Sequence, residues 1–129
     1  MNTTDLERKV EMSYELSWRI PGKVLSLSLS GTYTLEAAEE VNRLINDRLN
    51  ASQSPLMLLI NALEMDRPYH FERIRALQTY MDHENLKNIY IVAVDNVVKL
   101  SLLVIFNLGR ARLQLCDNVE KANRLIMHH

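Results

Sequence analysis

Few residues in this sequence have the chemistry of a reactive site, and their spacing does not gather them. His70 and His83 stand thirteen positions apart, both near expected helix ends. Two metal ligands on one helical face recur about four residues apart, so this spacing does not make a metal site. His70 therefore reads as a surface histidine. Glu64, Asp66, Glu72, Asp82 and Glu84 form a loose acidic scatter. It is expected to be a solvated rim, because paired carboxylates for acid–base work need a defined geometry. Cys116 is the sole cysteine. That excludes a disulfide framework and a cysteine-rich zinc site, and Cys116 reads as a small buried hydrophobe. No G-x-G-x-x-G, Walker loop or G-x-S-x-G elbow occurs, so the nucleotide-cradling and nucleophile-elbow signatures are absent. No cofactor is expected, and nothing here nominates an enzyme.

The 129 residues match a single domain. Lys plus Arg is 15 and Asp plus Glu is 16, a net charge of -1. A general nucleic-acid binder carries a clear basic excess, so nucleic acid is not an expected partner. Lys99, Arg110, Arg112, Lys121 and Arg124 outnumber Asp95, Asp117 and Glu120, a mild patch that suits local charge balance. The first twenty residues hold four acids and three bases without an apolar run, unlike a secretory or transit leader. No run of about 18 apolar residues is present, so no membrane-spanning helix is expected. A cytoplasmic location is the resulting expectation.

The elements that position these residues follow from periodicity. Tyr14, Leu16, Trp18 and Ile20 alternate with polar residues, as do Leu25, Leu27 and Leu29 with Ser26, Ser28 and Ser30. Around Pro21-Gly22 this predicts an antiparallel hairpin with a wet serine face. Thr34 is a helix N-cap candidate ahead of Ala38, Val41, Ile45 and Leu49 at helical spacing. Leu56–Ile60 is a short apolar run, expected to be a strand buried on both faces, followed by a polar loop. Phe71, Ile74, Leu77 and Met81 mark one face of a second helix, and 88–94 another buried strand. Asp95 caps a third helix that runs to about Leu108 and closes at Gly109. Leu113 and Leu115 belong to an edge-like strand, and Asp117 with Glu120 makes an acidic capping box for a final helix.

The predicted fold class is α/β: one domain over residues 11–129 with the order β-β-α-β-α-β-α-β-α. The sheet is mostly parallel, with an antiparallel N-terminal edge strand. Residues 1–10 are expected to be flexible or to add an edge segment.

This order, with the stretches VLSLSLSGTYTLEAAEEV, LMLLINALEMD, MDHENLKNIYIVAV and LQLCDNVEKANRLI, resembles the STAS domain, the anti-anti-sigma-factor-like fold. The resemblance covers residues 12–127. It extends to STAS-like bacterial proteins of uncharacterised function that are sometimes grouped with the lipid-binding CRAL-TRIO class. It implies a regulatory protein-interaction module. The family's phosphorylation switch uses Asp-Ser-Ser-Gly after a buried strand. The matching stretch here is Asp66-Arg67-Pro68-Tyr69, in which the serines are replaced. The phosphoswitch is therefore not carried over. Tyr69 reads as an ordinary amphipathic aromatic. A two-component receiver is excluded, because Ser30, Gly31 and Thr32 stand where its acids belong and Asn61 follows Ile60.

The third helix is the unusual element. Val98, Leu102 and Ile105 occupy one side, while Leu100, Leu103, Val104 and Leu108 extend round the other. Asn96, Lys99 and Asn107 cover a narrow polar sector. A helix apolar nearly all round is usually buried, and few elements remain in so small a domain to cover it. Three explanations stand: cover within the chain, a homodimer or partner-protein contact, or a lipid-surface contact. The candidate interaction surface is Leu100, Leu103, Val104, Asn107 and Leu108. A second candidate is the rim at the carboxyl ends of the strands, with Asn61, Asp66, Arg67, Asp95 and Asn96, where Asn61 reads first as a loop former. The expected function is a non-enzymatic regulatory protein-interaction module, not a serine phosphoswitch, that binds itself or another protein. A small carrier or sensor of an apolar, lipid-like ligand is the alternative.

Overall fold

The computed structural model describes residues 12–68, 70–106 and 111–128. The expectations for residues 1–10, Tyr69, Asn107, Leu108 and Gly109 lie outside them. A β-hairpin opens the described chain: β1 (Met12–Ile20) turns at Pro21–Gly22 into β2 (Val24–Gly31). Gly22 and Gly31 both have positive φ, at 74° and 70°. That conformation is costly for residues with a Cβ, and it lets the chain turn at both ends of β2. Then follow α1 (Leu35–Ala51), β3 (Leu56–Met65), α2 (Phe71–Leu77), a 3-10 turn (Thr79–Asp82), β4 (Leu86–Val92), α3 (Asn96–Phe106), β5 (Arg112–Cys116) and α4 (Val119–Met127).

The five strands form one sheet in sequence order, β1-β2-β3-β4-β5. β1 is antiparallel to β2, and each later pair is parallel. This is the predicted order and the predicted edge strand. Right-handed crossovers that always advance in one direction place their helices on one face of the sheet. The main core shows that result. Leu25, Leu27 and Leu29 of β2 and Leu58 and Ile60 of β3 pack with Val41 and Ile45 of α1, Ile74 of α2, and Leu102 and Ile105 of α3. On the opposite face a smaller cluster joins Leu59, Tyr90, Val92 and Cys116 to Ala122 and Ile126 of α4. The predicted burial of Cys116 holds. Ser28, on that second face, is exposed, while Ser26 and Ser30 are partly so.

Three local expectations need correction. β3 does not end at Ile60 but pairs with β2 as far as Met65, with a register shift between Ser28 and Ser30. The second helix stops at Leu77, and Met81 lies in the 3-10 turn. Gln78 turns inward there. Its Oε1 accepts from the Tyr33 hydroxyl at 3.1 Å, and its Nε2 donates to the Ile105 carbonyl at 3.4 Å. A buried amide that finds both partners in other elements overrides continued helical periodicity. The last helix is capped by Asn118, whose Oδ1 accepts from the Lys121 N–H at 2.7 Å, and not by Asp117. The Thr34 cap is as predicted, accepting from the Ala37 N–H at 3.1 Å.

Two buried tyrosines make the interior testable. Burial pushes both hydroxyls well above their ordinary pKa, so both stay neutral. The Tyr33 hydroxyl is bonded to Gln78, whereas the Tyr80 hydroxyl has no partner among the described residues. Removing a hydrogen-bonded hydroxyl strands its partner, while removing an unpaired one leaves nothing unsatisfied. Tyr33→Phe is expected to lower unfolding free energy by about 1 kcal/mol, and Tyr80→Phe to leave it unchanged or raise it by about 1 kcal/mol. Urea denaturation of both variants checks the contrast.

Candidate functional site

β3 delivers Asp66 and Arg67 to the carboxyl end of the sheet, and the end of β4 delivers Asp95 beside them. The Asp66 N–H donates to the Gly31 carbonyl at 2.9 Å, fastening this turn to the end of β2. Arg67 reaches across to Asp95, with Nη2 3.6 Å from Oδ2. Asp95 also caps α3, its Oδ1 accepting from the Val97 and Val98 N–H groups at 2.9 and 3.0 Å. These three residues line one depression of about 410 Å³ with Thr32, Met65 and Val98. The structure brings Asp66, Arg67 and Asp95 of the expected rim together. Asn96 stands next to it as the first, exposed residue of α3.

Asn61 does not join them. Because β3 continues to Met65, Asn61 is a strand residue opposite Ser28, and its Oδ1 accepts from the Leu63 N–H at 3.1 Å. It lines a separate depression of about 310 Å³ with Glu15, Ser28, Ser30 and Glu64. The loop predicted to start at Asn61 begins only after Met65, which moves Asn61 off the rim.

A second depression, of about 400 Å³, adjoins the rim through Thr32 and is lined by Tyr33, Thr34, Leu35, Glu36 and His70. His70 is the one described non-glycine residue with positive φ, 55°. Histidine is among the residue types enriched in that region, and here it supplies the sharp turn that starts α2. His70 is exposed, as the sequence reading expected. Thr32, Met65 and His70 carried no motif that could have marked them. Thr32 and Met65 reach the rim through strand ends, and His70 reaches the adjoining depression through one turn. Where the STAS pattern has serines, the chain carries Arg67, held by Asp95, and Pro68, which is buried. Neither side chain has a hydroxyl to phosphorylate.

From this rim an apolar stripe runs along α3. Val97, Leu100 and Val104 are 42%, 64% and 39% exposed, and Val94, just ahead of the helix, is 62% exposed. Positions i, i+3 and i+7 lie on one helical stripe. Val98, Leu102, Ile105 and Phe106 face inward on the other side. Leu103 is half-buried. It shares the shoulder of Lys99, whose Nζ donates to Asp117 Oδ1 at 3.0 Å. The exposed stripe therefore includes Leu100 and Val104 as expected. Val97 was missed, although its spacing from Leu100 and Val104 could have identified it. Asn107 and Leu108 belong to the undescribed residues. No group of three or more histidine, cysteine or acidic side chains that could hold a metal occurs among the described residues. None of their helices is long and apolar enough to cross a membrane.

No protein-family model matches the sequence, and no curated protein matches it either. Solved structures do match the fold. One is an uncharacterised protein of the DUF3478 family with a SpoIIAA-like fold from Shewanella loihica, at 15% identity and a TM-score of 0.65, covering 89% of this chain and 93% of that one. Another is an anti-sigma factor antagonist from Mycobacterium paratuberculosis, at 15% identity and a TM-score of 0.59, covering 90% of this chain and 94% of that one. The fold is STAS-like.

The rim has a pH signature. Hydrogen bonds from the Val98 N–H first, and then the Arg67 charge and the Val97 N–H, hold the Asp95 carboxyl below its ordinary pKa of 3.8. A carboxyl with a depressed folded-state pKa stabilises the fold above its unfolded pKa, and that stabilisation is lost as pH falls through the folded value. The stability difference between wild type and Asp95→Ala is expected to be full at neutral pH and to shrink as pH falls below about 4. Thermal melts of both proteins from neutral pH to about pH 2.5 check it.

Proposed function

We propose that the protein is a non-enzymatic, regulatory protein-interaction module. Its contact surface is the Asp66–Arg67–Asp95 rim together with the exposed stripe of α3. The observation that carries this reading is the stripe itself, with Val94, Val97, Leu100 and Val104 all exposed and starting beside an ion-paired rim. Contiguous apolar surface bordered by polar groups marks interaction sites. Full burial of a large apolar side chain is worth about 1.5–3 kcal/mol. The ordering costs of association offset part of that, so a few such residues suit a specific, reversible contact. An anti-sigma factor antagonist among the structural neighbours supports a protein as the partner.

In this reading the module works in the cytoplasm and as a homodimer. It does not switch by serine phosphorylation, since Arg67 and Pro68 occupy the positions that would carry the modified serine. The permanent Arg67 cation, fixed by Asp95, gives the rim a constant charge pattern in place of a switchable one.

The test is affinity capture from extracts of the native host, using wild type, Leu100→Glu, Arg67→Glu and Ser28→Glu as baits. Placing a charge in a desolvated apolar contact typically weakens binding by tenfold or more. A protein retained by wild type and Ser28→Glu but depleted about tenfold or more on Leu100→Glu and Arg67→Glu is the expected result. A partner retained equally by all four baits, or lost only on Ser28→Glu, overturns the assignment of the surface.

A further inference from the structure

The rim is one end of a longer groove. Its depression of about 410 Å³ meets the neighbouring one, of about 400 Å³, at Thr32. That one meets a third, of about 630 Å³, at Glu36. The third lies between α1 and α2, lined by Glu39, Glu40, Asn42 and Arg43 of the one helix and Leu77 of the other. α1 follows the carboxyl end of β2, and α2 follows that of the parallel β3. The seam between the two helices therefore opens at the same end of the sheet as the rim.

Floor and walls of this groove differ in chemistry. Leu35 and Leu77 are half-buried and pack on the main core, and Met65 and Val98 are buried at the rim end. Glu36, Glu39, Glu40 and Asp66 are exposed, and none forms an ion pair with another described residue. Both arginines of the lining already stand beside a carboxylate. Arg43 is 3.6 Å from Asp47, and Arg67 is 3.6 Å from Asp95. With those pairs closed, the groove presents unneutralised negative charge along an apolar floor. Opposite charge across an interface selects the partner and speeds encounter, while apolar contact supplies affinity.

We infer that the groove from Glu39 to Asp66 receives an extended, basic segment of a partner protein, in which Lys or Arg alternates with aliphatic residues. Successive side chains of an extended chain point to opposite sides. The aliphatic ones meet Leu35 and Leu77, and the long basic ones bend back to the carboxylates on the walls. The inference deepens the proposed function and rests on it for the existence of a protein partner. It adds a binding element separate from the α3 stripe, so the two can fail independently.

The test uses short fluorescein-labelled peptides of alternating lysine and leucine, lysine and serine, or glutamate and leucine. Binding is followed by fluorescence anisotropy at about 0.15 M salt. The proteins are wild type, Glu36→Lys/Glu39→Lys, Asp82→Lys/Glu84→Lys and Leu100→Glu, each checked for folding by far-UV circular dichroism. Asp82 and Glu84 are exposed, precede β4 at the opposite end of the sheet and lie outside the groove. Their reversal changes the net charge by the same amount. The lysine–leucine peptide is expected to bind wild type more tightly than the other two peptides. Glu36→Lys/Glu39→Lys is expected to raise its Kd about tenfold or more, and Asp82→Lys/Glu84→Lys and Leu100→Glu to stay within about twofold of wild type.

An equal loss in both double reversals reports attraction to net charge alone and overturns the groove. A glutamate–leucine or lysine–serine peptide that binds wild type as tightly overturns the occupant. Loss confined to Leu100→Glu moves the peptide to α3, overturning the groove while leaving the interaction module standing. A wild type that binds no lysine–leucine peptide up to about 1 mM overturns the inference and leaves the α3 contact to the capture experiment.

Discussion

The handedness of strand–helix–strand crossovers governs this molecule. From β2 to β5 the sheet grows in one direction, so right-handed connections lay α1, α2 and α3 on the same face. The strand order never reverses, and the crevice that open α/β sheets form at such a reversal has no place to form. Shallow surface depressions at the strand ends are what the topology leaves. α3 is the last helix in the row, beside a sheet that ends at the short β5. It has α2 on one side and no further crossover helix beyond it. A helix that is apolar almost all round has therefore been placed where only part of its circumference is covered.

The same constraint explains the other face. Among the described residues only α4 crosses back to it, and its buried residues cover Leu59, Tyr90, Val92 and Cys116. Towards β1 and β2 that face carries serines and Glu15 in place of large apolar side chains. Ser26, Ser28 and Ser30 there are exposed or partly so, the alternation expected of an antiparallel sheet with one open face. The α3 stripe departs from that economy. Four apolar side chains, Val94, Val97, Leu100 and Val104, stay exposed along and just ahead of α3, and this is why the proposed contact is placed there.

Much of this was legible in the residues. The order of elements, the antiparallel edge, the Thr34 and Asp95 caps and the grouping of Asp66, Arg67 and Asp95 follow from alternation, helical spacing and capping chemistry. Those are local signals, and the fold respects them. The failures have a common physical origin in contacts between distant elements. Gln78 leaves helical periodicity for partners on β2's following loop and on α3. Asn61 stays in a strand because β2 continues to pair beside it. Leu103 is half-buried, although its neighbours Leu100 and Val104 are exposed. The helical pattern showed that α3 has too much apolar surface, but which stripe stays open depends on what packs against it.

The most direct measurement of the central claim is site-specific photo-crosslinking in living cells. A benzophenone amino acid is placed at Leu100, on the open stripe, and separately at Ser28, on the exposed polar face of the sheet. The account predicts a discrete cross-linked adduct with another protein from position 100 and none from position 28. Adducts of the same kind from both positions, or from position 28 alone, would contradict it.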